Sequence, residues 1–252
     1  MDELFLNLPV GLIEALRAAR HVAALTGAGI SAESGIPTFR DAQTGLWAKY
    51  RAKDLATPEA FQRNPQLVWE WYAWRRELIA RAVPNLGHQA LVEMKTRLRK
   101  FTLITQNVDG LHQQAGSSAV IELHGNITRT KCFQEGTVVE SWAETDQPPP
   151  PRCPHCGGPL RPDVVWFGES VPPDALWAAM EAARACDFFF SIGTCALVQP
   201  AALLPLEALQ HSATVVEVNP DVTPLSAHVT YAVHGLAGHI LPALVRAAWP
   251  NP

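Results

Sequence analysis

One residue that could do acid–base chemistry is a histidine between an apolar run and a glycine. It is His124, in the stretch VIELHGN (120–126). Because imidazole titrates close to neutral pH, His124 is a candidate general base. A lone histidine in such a place is often a structural residue, so this stretch by itself leaves both interpretations open.

A second candidate group consists of amide and carboxyl side chains that follow an apolar run. The stretch TQNVDGLHQQAG (105–116) carries Gln106, Asn107 and Asp109. Such side chains can hold a carboxamide and ribose hydroxyls. Asn, Asp and Gly also favour turns, so a plain turn would explain the same residues.

A glycine-rich turn precedes both groups in the chain. In TGAGISAESGIPTFRD (26–41), small residues stand where a strand turns towards a helix, so backbone amides could approach a pyrophosphate. Ala32 occupies the third glycine position of a dinucleotide fingerprint, and an ordinary strand-to-helix connection would look similar. Pro37 predicts a loop that presents Phe39 and Arg40 as a lid over a nucleotide.

Three cysteines have spacing that suits a metal. Cys153 and Cys156 form a Cys-x-x-Cys pair, whereas Cys132 stands in CFQE with Glu135 where a second cysteine is expected. Structural zinc takes four tetrahedral ligands, normally from two such pairs. Glu135, His155 or water could complete the site, and loss of the metal is the alternative.

The stretch WEWYAWRREL (69–78) contains a tyrosine and an arginine three residues apart. If the stretch is helical, Tyr72 and Arg75 share one face, and we assign Trp71 and Trp74 to the core. Arg75 then either faces an acidic group or lies in solvent, as long charged side chains commonly do.

The elements that must position these residues are short apolar runs separated by helical stretches. Strands are predicted at HVAALT before the glycine turn and at 101–107, 185–194 and 213–219, and helices at 8–20, 173–185 and 200–211. Strands that are apolar throughout and alternate with helices predict an α/β fold, a doubly wound, Rossmann-like parallel sheet covered on both faces. Ligands bind beyond the carboxyl ends of such strands, where the glycines and polar residues of this chain stand.

One segment breaks this pattern. Four consecutive prolines in QPPPPR cannot lie in a helix interior or a central strand. We therefore predict a small zinc-ribbon-like insert at 127–165, which divides a main domain formed by residues 1–126 and 166–252.

Composition argues against several classes of protein. The 252 residues are 48% hydrophobic and 17% charged, with a net charge of −4 and no basic block, which argues against nucleic-acid or membrane-surface binding. The most apolar region is interrupted by Gly193 and Pro200, so no membrane span is expected. Five cysteines without a secretion signal favour a reducing, cytoplasmic location.

Taken together and in order, the motifs resemble one family. GAGISAESGIPTFRD, TQNVDGLH, ELHG, CPHCGG, LRPDVVWFGE, a Gly-Thr pair after a buried strand, and VEVN resemble the sirtuins, the NAD-dependent protein-lysine deacylases, over about residues 20–246. The resemblance implies NAD as cofactor, acyl-lysine proteins or peptides as substrates, and a monomer. It identifies the main domain as NAD-binding, and it implies release of nicotinamide and O-acyl-ADP-ribose.

The resemblance also implies roles for individual residues. His124 matches the general base, and Asn107 matches a residue that orients the nicotinamide end. The implied cofactor contacts are Gly27, Ala28, Gly29, Ser31, Ala32, Phe39, Arg40, Gln106, Asn107, Asp109, Gly193, Thr194, Cys195, Asn219 and Ala237. Cys195 stands where the family usually has serine, which weakens one hydrogen bond.

Two segments match substrate-binding parts of the family. VVWFGE (164–169) matches the segment that pairs with the substrate peptide as an added strand, with Val165, Phe167 and Gly168 as contacts. Tyr72 and Arg75 match the Tyr-x-x-Arg pair of a bacterial desuccinylase and demalonylase-type subgroup, in which the guanidinium binds the acyl carboxylate. We therefore predict desuccinylase and demalonylase activity alongside deacetylation.

Other functions of an NAD site remain as alternatives. Mono-ADP-ribosyl transfer needs the same pocket with a different acceptor. A non-catalytic NAD or ADP-ribose binding module would keep the glycine turn but would not need His124, Asn107 and Asp109 together. A hydride-transferring dehydrogenase fits less well, because the resemblance implies that nicotinamide is released.

Overall fold

A six-stranded parallel sheet forms the centre of the structure, a computed structural model that describes residues 8–38, 50–142 and 148–250 apart from the side chains at 52 and 53. The strand order is β3-β2-β1-β6-β7-β8, and a separate antiparallel pair is formed by β4 and β5. The strands are β1 His21–Thr26, β2 Lys100–Thr105, β3 Ile121–Glu122, β4 Gly125–Cys132, β5 Leu160–Val164, β6 Phe188–Ile192, β7 Thr214–Asn219 and β8 Tyr231–His234.

Helices cover both faces of the sheet. They are α1 Val10–Ala18, α2 Gly29–Ala32, α3 Ala52–Leu55, α4 Pro58–Arg63, α5 Pro65–Arg81, α6 Leu86–Arg97, α7 Leu111–Gln114, α8 Pro173–Ala185, α9 Leu204–Gln210 and α10 Ala237–Ala248. Val22 and Ala24 of β1 pack with α1, α6 and α10, whereas Ala23 and Leu25 pack with α8 and α9. Both faces of β1 are therefore buried, which confirms the predicted doubly wound sheet.

The central strands are apolar because they have no face in water. Phe188, Phe189 and Phe190 of β6 are all at most 1% exposed. Burial of each such side chain contributes about 1.5–3 kcal/mol relative to an exposed position. Their alternating directions fill the cores on opposite sides of the sheet and hold β6 next to β1.

Helix α5 belongs to a third core at one side of the sheet. Asn64 begins it by accepting a hydrogen bond from Leu67 N at 3.1 Å, and Pro65 occupies its first position, where the lost N–H costs nothing. Its buried residues pack with α4 and with Ile127 and Val164 of the antiparallel pair. The antiparallel pair and α5 thus share one core.

The predicted insert contains most of the antiparallel pair, and β4 begins two residues before residue 127. A small core joins Cys132, Val139, Cys153 and Leu160 within it. The boundaries at 127 and 165 stay a prediction.

Two differences from the predicted elements have local causes. The helix expected at 200–211 is divided into a 3₁₀ turn at Ala201–Leu203 and α9, which has Pro205 in its first turn. The edge strand β8 was not predicted, because its residues alternate between half-buried and exposed positions instead of forming an apolar run. In the parts of the chain that the structure describes, we find no helix with both the length and the apolar character that crossing a membrane requires.

Candidate active site

Two glycine loops meet backbone to backbone at the carboxyl edge of the sheet. Gly27 N–H donates to the carbonyl of Ile192 (2.9 Å), and Gly29 N–H donates to that of Gly193 (2.8 Å). A Cβ on Gly29 would lie 2.7 Å from Gly193 Cα, and Gly193 itself has φ +59°. Only glycine fits this contact, so the loops after β1 and β6 form one continuous surface.

A hydrogen-bond network ties the exit of β2 to the glycine turn. Asn107 Nδ2 donates to the Gly27 carbonyl (3.1 Å) and to Ser31 Oγ (3.2 Å). Ser31 Oγ donates to Asp109 Oδ2 (2.8 Å), and Leu111 N–H donates to Asp109 Oδ1 (2.9 Å). These contacts occupy both amide hydrogens of Asn107, which orients its side-chain carbonyl as the acceptor for a ligand.

The network is buried and electrostatically coupled to α5. Burial raises the pKa of Asp109, against the hydrogen bonds from Leu111 and Ser31 and the positive charge of Arg75. Burial also lowers the pKa of Arg75, against the influence of Tyr72 and Asp109. The carboxylate at the exit of β2 and the guanidinium on α5 therefore stabilise each other's charged forms.

His124 lies between β3 and β4, with its ring beside the exit of β2. Its Nδ1 is 3.0 Å from the backbone carbonyl oxygen of Gln106. A carbonyl can only accept, so Nδ1 carries the hydrogen and Nε2 is the unprotonated nitrogen of the neutral ring. Burial lowers the pKa of His124, against the effect of the Gln106 carbonyl, so the neutral base predominates near pH 7.

The third strand exit is organised by Asn219. Its Nδ2 donates to the Thr194 carbonyl (2.6 Å), while Thr194 Oγ1 accepts from Ala196 N–H (2.9 Å). Cys195 is half-buried in this loop. Ala237 is buried at the start of α10. The ends of β6 and β7 therefore lie at the same edge of the sheet as the glycine turn.

The segment after β5 is a turn and not a continued strand. Val165 N–H donates to the His124 carbonyl and Phe167 N–H to the Ala56 carbonyl, both at 2.9 Å. Phe167 is 47% exposed, and Gly168 has φ +90°. Strand β5 therefore ends at Val164, and the turn that follows it lies next to the candidate base.

Tyr72 and Arg75 are both buried on α5, with 2% and 9% of their surface exposed. Trp166 Nε1 donates to Tyr72 Oη at 2.9 Å, and the guanidinium of Arg75 lies 5.3 Å from the ring centre of Trp71. Burial raises the pKa of Tyr72 to about 12. The alternative of a solvated Arg75 is excluded. Trp71 is fully buried as predicted, whereas Trp74 is only partly buried.

Comparison with known proteins identifies the family. The sequence model of the Sir2 family matches residues 27–200. The chain belongs to the Sir2 family. The family of the sirtuins, predicted from the motifs, is thereby confirmed.

The Sir2 relatives match almost the whole chain. An NAD-dependent protein deacylase of Methylococcus capsulatus is 50% identical over 243 residues, which are 94% of this chain and 95% of that protein. An NAD-dependent protein deacylase of Aquifex aeolicus is 56% identical over 208 residues, 82% of this chain and 86% of that protein.

Solved Sir2 structures have the same fold. A Sir2 homologue in complex with 2'-O-acetyl ADP-ribose has a TM-score of 0.89 and 46% identity, with 96% of each chain covered. A Sir2 complex with a p53 peptide and NAD+ has a TM-score of 0.82 and 30% identity, with 94% of this chain and 97% of that chain covered.

The cysteine cluster fits the zinc that the Sir2 zinc-ribbon module implies. The ligand atoms of Cys132, Glu135, Cys153 and Cys156 lie within 4.8 Å of one another. Cys132 Sγ is 3.4 Å from Cys156 Sγ, and Cys153 Sγ is 3.8 Å from Glu135 Oε2. Tetrahedral zinc at ordinary bond lengths separates two sulfurs by about 3.8 Å and a sulfur from an oxygen by about 3.6 Å.

Backbone donors support this cluster as well. Glu135 N–H points to Cys132 Sγ and Gly158 N–H to Cys156 Sγ, each at 3.4 Å, as suits thiolates that hold a metal. The sequence left the fourth ligand open between Glu135, His155 and water. Of the described residues, Glu135 lies in the cluster and His155 does not.

The structure brings most of the predicted cofactor residues to one edge of the sheet. Phe39 and Arg40, the predicted lid, lie outside the described residues. Sequence reasoning missed a polar row beneath the cleft, in which Thr26 Oγ1 contacts Thr105 Oγ1 and His112 Nε2, each at 2.8 Å. Thr105 Oγ1 also accepts from Asn107 N–H, so this row supports the network above it. The histidine in TQNVDGLH was the available signal.

Proposed function

We propose that this chain is an NAD-dependent protein-lysine deacylase that removes acetyl, succinyl and malonyl groups and releases nicotinamide and O-acyl-ADP-ribose. The relatives named NAD-dependent protein deacylases support the reaction. The observation that carries the proposal is the contact of His124 Nδ1 with the Gln106 carbonyl, which leaves Nε2 as a base at the meeting point of the β2 exit and the 165–169 turn.

The residues at the carboxyl edge of the sheet have different proposed roles in binding NAD and moving a proton. When bound, NAD supplies the glycosidic bond whose cleavage drives removal of the acyl group. Asn107 and Asp109 bind and orient the carboxamide end, and the loops around Gly27 and Gly193 let the backbone approach the phosphates. With NAD bound, His124 Nε2 would accept the proton of a ribose hydroxyl and so act as the general base.

The peptide segment delivers the acyl-lysine to this base. The turn at 165–169 presents Phe167 and Gly168 at the surface, so main-chain hydrogen bonds can bind many peptide sequences. Because Val165 N–H is bonded to the His124 carbonyl, a peptide along this segment passes close to the imidazole. Acyl-lysine proteins and peptides are the proposed substrates.

Tyr72 and Arg75 are the proposed acyl-binding pair. Burial disfavours the charged form of the Arg75 guanidinium. A terminal carboxylate on the acyl group adds a charge-assisted contact that acetyl lacks. This difference supports activity on succinyl- and malonyl-lysine.

The remaining parts of the proposal concern metal, assembly and location. Cys132, Cys153, Cys156 and Glu135 are the proposed zinc ligands. A net charge of −4 supports protein substrates over nucleic acid or membrane surfaces. We further propose that the protein is a cytoplasmic monomer. Size-exclusion chromatography with light scattering tests whether it is monomeric.

Chromatography of a reaction with NAD and a succinyl-lysine peptide tests the activity. The expected products are nicotinamide, free lysine peptide and O-succinyl-ADP-ribose. ADP-ribose attached to the protein would indicate mono-ADP-ribosyl transfer. The absence of any product would indicate a binding module, and formation of NADH would indicate a dehydrogenase. His124→Ala should lower turnover by about 100-fold to 10,000-fold. The matched control His228→Ala, at an exposed position, should not.

A further inference from the structure

Trp166 joins the peptide segment to the acyl pocket. It is 2% exposed, and it lies in the turn between Val165 and Phe167. Its Nε1 donates a buried hydrogen bond of 2.9 Å to Tyr72 Oη. The two residues are 94 positions apart in sequence, so the fold alone creates this contact.

The direction of this hydrogen bond determines what the pocket offers. An indole N–H can only donate, whereas a tyrosine hydroxyl can donate and accept. Since Tyr72 Oη accepts from Trp166, its own hydrogen must point away from the indole. A guanidinium has only donors, so Tyr72 and Arg75 both present donors, which match the terminal oxygens of a carboxylate.

The backbone of Trp166 is held by an ion pair between the buried Arg161 and the half-buried Glu169. Arg161 is 3% exposed and makes two parallel hydrogen bonds to Glu169, of which Nη2 to Oε2 measures 3.0 Å. Glu169 Oε2 also accepts from Trp166 N–H at 2.8 Å. The turn therefore cannot shift without breaking charged hydrogen bonds.

The indole ring of Trp166 is packed against a guanidinium and two phenyl rings. The guanidinium of Arg161 lies 3.2 Å from the ring centre. Phe61 and Phe133 lie 5.3 and 6.4 Å away, centre to centre. Phe133 follows Cys132, so the zinc-ribbon module helps to hold the ring. These contacts fix the direction of the indole N–H.

We propose that Trp166 is a positioning residue that sets acyl specificity, because its indole N–H fixes the Tyr72 hydroxyl as a donor to the acyl chain. The inference rests on the proposed role of Tyr72 and Arg75. It adds a residue that need not touch the acyl group but acts on it through Tyr72.

A double-mutant cycle tests this role. Trp166→Phe removes the N–H and keeps an aromatic ring, and it is combined with Tyr72→Phe. KM and kcat are measured with succinyl-lysine and acetyl-lysine peptides of the same sequence. Trp166→Phe should raise KM for the succinyl peptide about tenfold and for the acetyl peptide less than about twofold. The double variant should be no worse than Tyr72→Phe alone.

Controls separate this effect from loss of packing. Trp142→Phe, in a tryptophan that contacts Trp69 and not the pocket, should leave both KM values unchanged. If Trp166→Phe does not fold, incorporation of 3-benzothienylalanine at position 166 replaces the N–H by sulfur in a ring of the same shape. It should give the same selective rise in KM.

Equal losses on both peptides, or losses that add fully in the double variant, would overturn the inference. Arg75→Met distinguishes this result from failure of the proposed acyl pocket. If Arg75→Met selectively raises KM for the succinyl peptide and the Trp166 variants do not, only the role of Trp166 is rejected. If Arg75→Met also changes KM for the succinyl and acetyl peptides equally, the proposed acyl pocket itself is rejected.

Discussion

His124 Nδ1 and the backbone carbonyl oxygen of Gln106 lie 3.0 Å apart, and this contact links the end of β2 to the start of β4. It selects the tautomer with a free Nε2 lone pair without a second ionisable group. Many histidine bases are oriented by a carboxylate, whose charge would raise the imidazole pKa. Here the neutral carbonyl orients the ring while burial keeps the pKa low.

The pH dependence of deacylation should reflect this lowered pKa. If His124 is the base as proposed, its neutral imidazole is the active form, so activity is lost as pH falls through the pKa of His124. Because burial lowers this pKa below its ordinary value of 6.5, the acidic limb of kcat/KM should lie below pH 6.5. A pH profile with saturating NAD measures it. An acidic limb centred above pH 7 would contradict the assignment.

Arg75→Met should reduce activity on acyl groups that carry a carboxylate more than activity on the uncharged acetyl group. We expect kcat/KM for succinyl-lysine to fall by about 100-fold and that for acetyl-lysine by less than about threefold, because only the first loses a buried charged contact. Competition between the two peptides measures the ratio. Arg81→Met, at the exposed end of α5, is the matched control and should leave the ratio unchanged. Equal losses would reject the pocket.

Glu135 should determine how firmly the module holds zinc. We expect a single zinc in the purified chain by metal analysis. Glu135→Ala should lose zinc to a chelator faster than the wild type, and Glu135→Cys should lose it more slowly, because thiolate is the softer ligand. Cys153→Ser serves as a reference for loss of an accepted ligand. Identical chelator resistance of Glu135→Ala and wild type would show that Glu135 is not a ligand.

Gly193→Ala should lower the free energy of unfolding much more than alanine at another glycine of similar φ. A Cβ at Gly193 would lie 2.5 Å from Ile30 N, whereas Gly35, with φ +79°, has open space around it. We expect Gly193→Ala to lower the free energy of unfolding by about 2 kcal/mol or more and Gly35→Ala by about 1 kcal/mol. Urea denaturation measures both values. Similar losses would mean that the loops after β1 and β6 can separate at little cost.

The sequence predicts the sheet well because its strands carry a local signal. HVAALT is a short apolar run that ends at a glycine turn, and such a run favours a strand in the interior of a parallel sheet. β8 gives no comparable signal because it lies at the edge and alternates. The extent of Trp74 burial depends on neighbours from other elements, which helical spacing does not reveal.

Site residues that belong to one continuous stretch of sequence are predicted. Contacts between two distant stretches are missed. Asn107 and Asp109 follow a strand directly, so their place at its carboxyl edge is evident. The bond between Trp166 and Tyr72 and the ion pair of Arg161 with Glu169 depend on register and packing. Glu135 is intermediate, because its spacing from Cys132 matches a ligand position but its residue type does not.

The surface after β1 and β6 is built from peptide groups, since Gly27 and Gly29 pack directly against the backbone of Gly193. Substitution there cannot reshape the surface gradually, because the smallest added group already collides. If this surface holds NAD as proposed, redesign of cofactor preference would use neighbouring positions such as Ala28 and Cys195, where side chains exist to be exchanged.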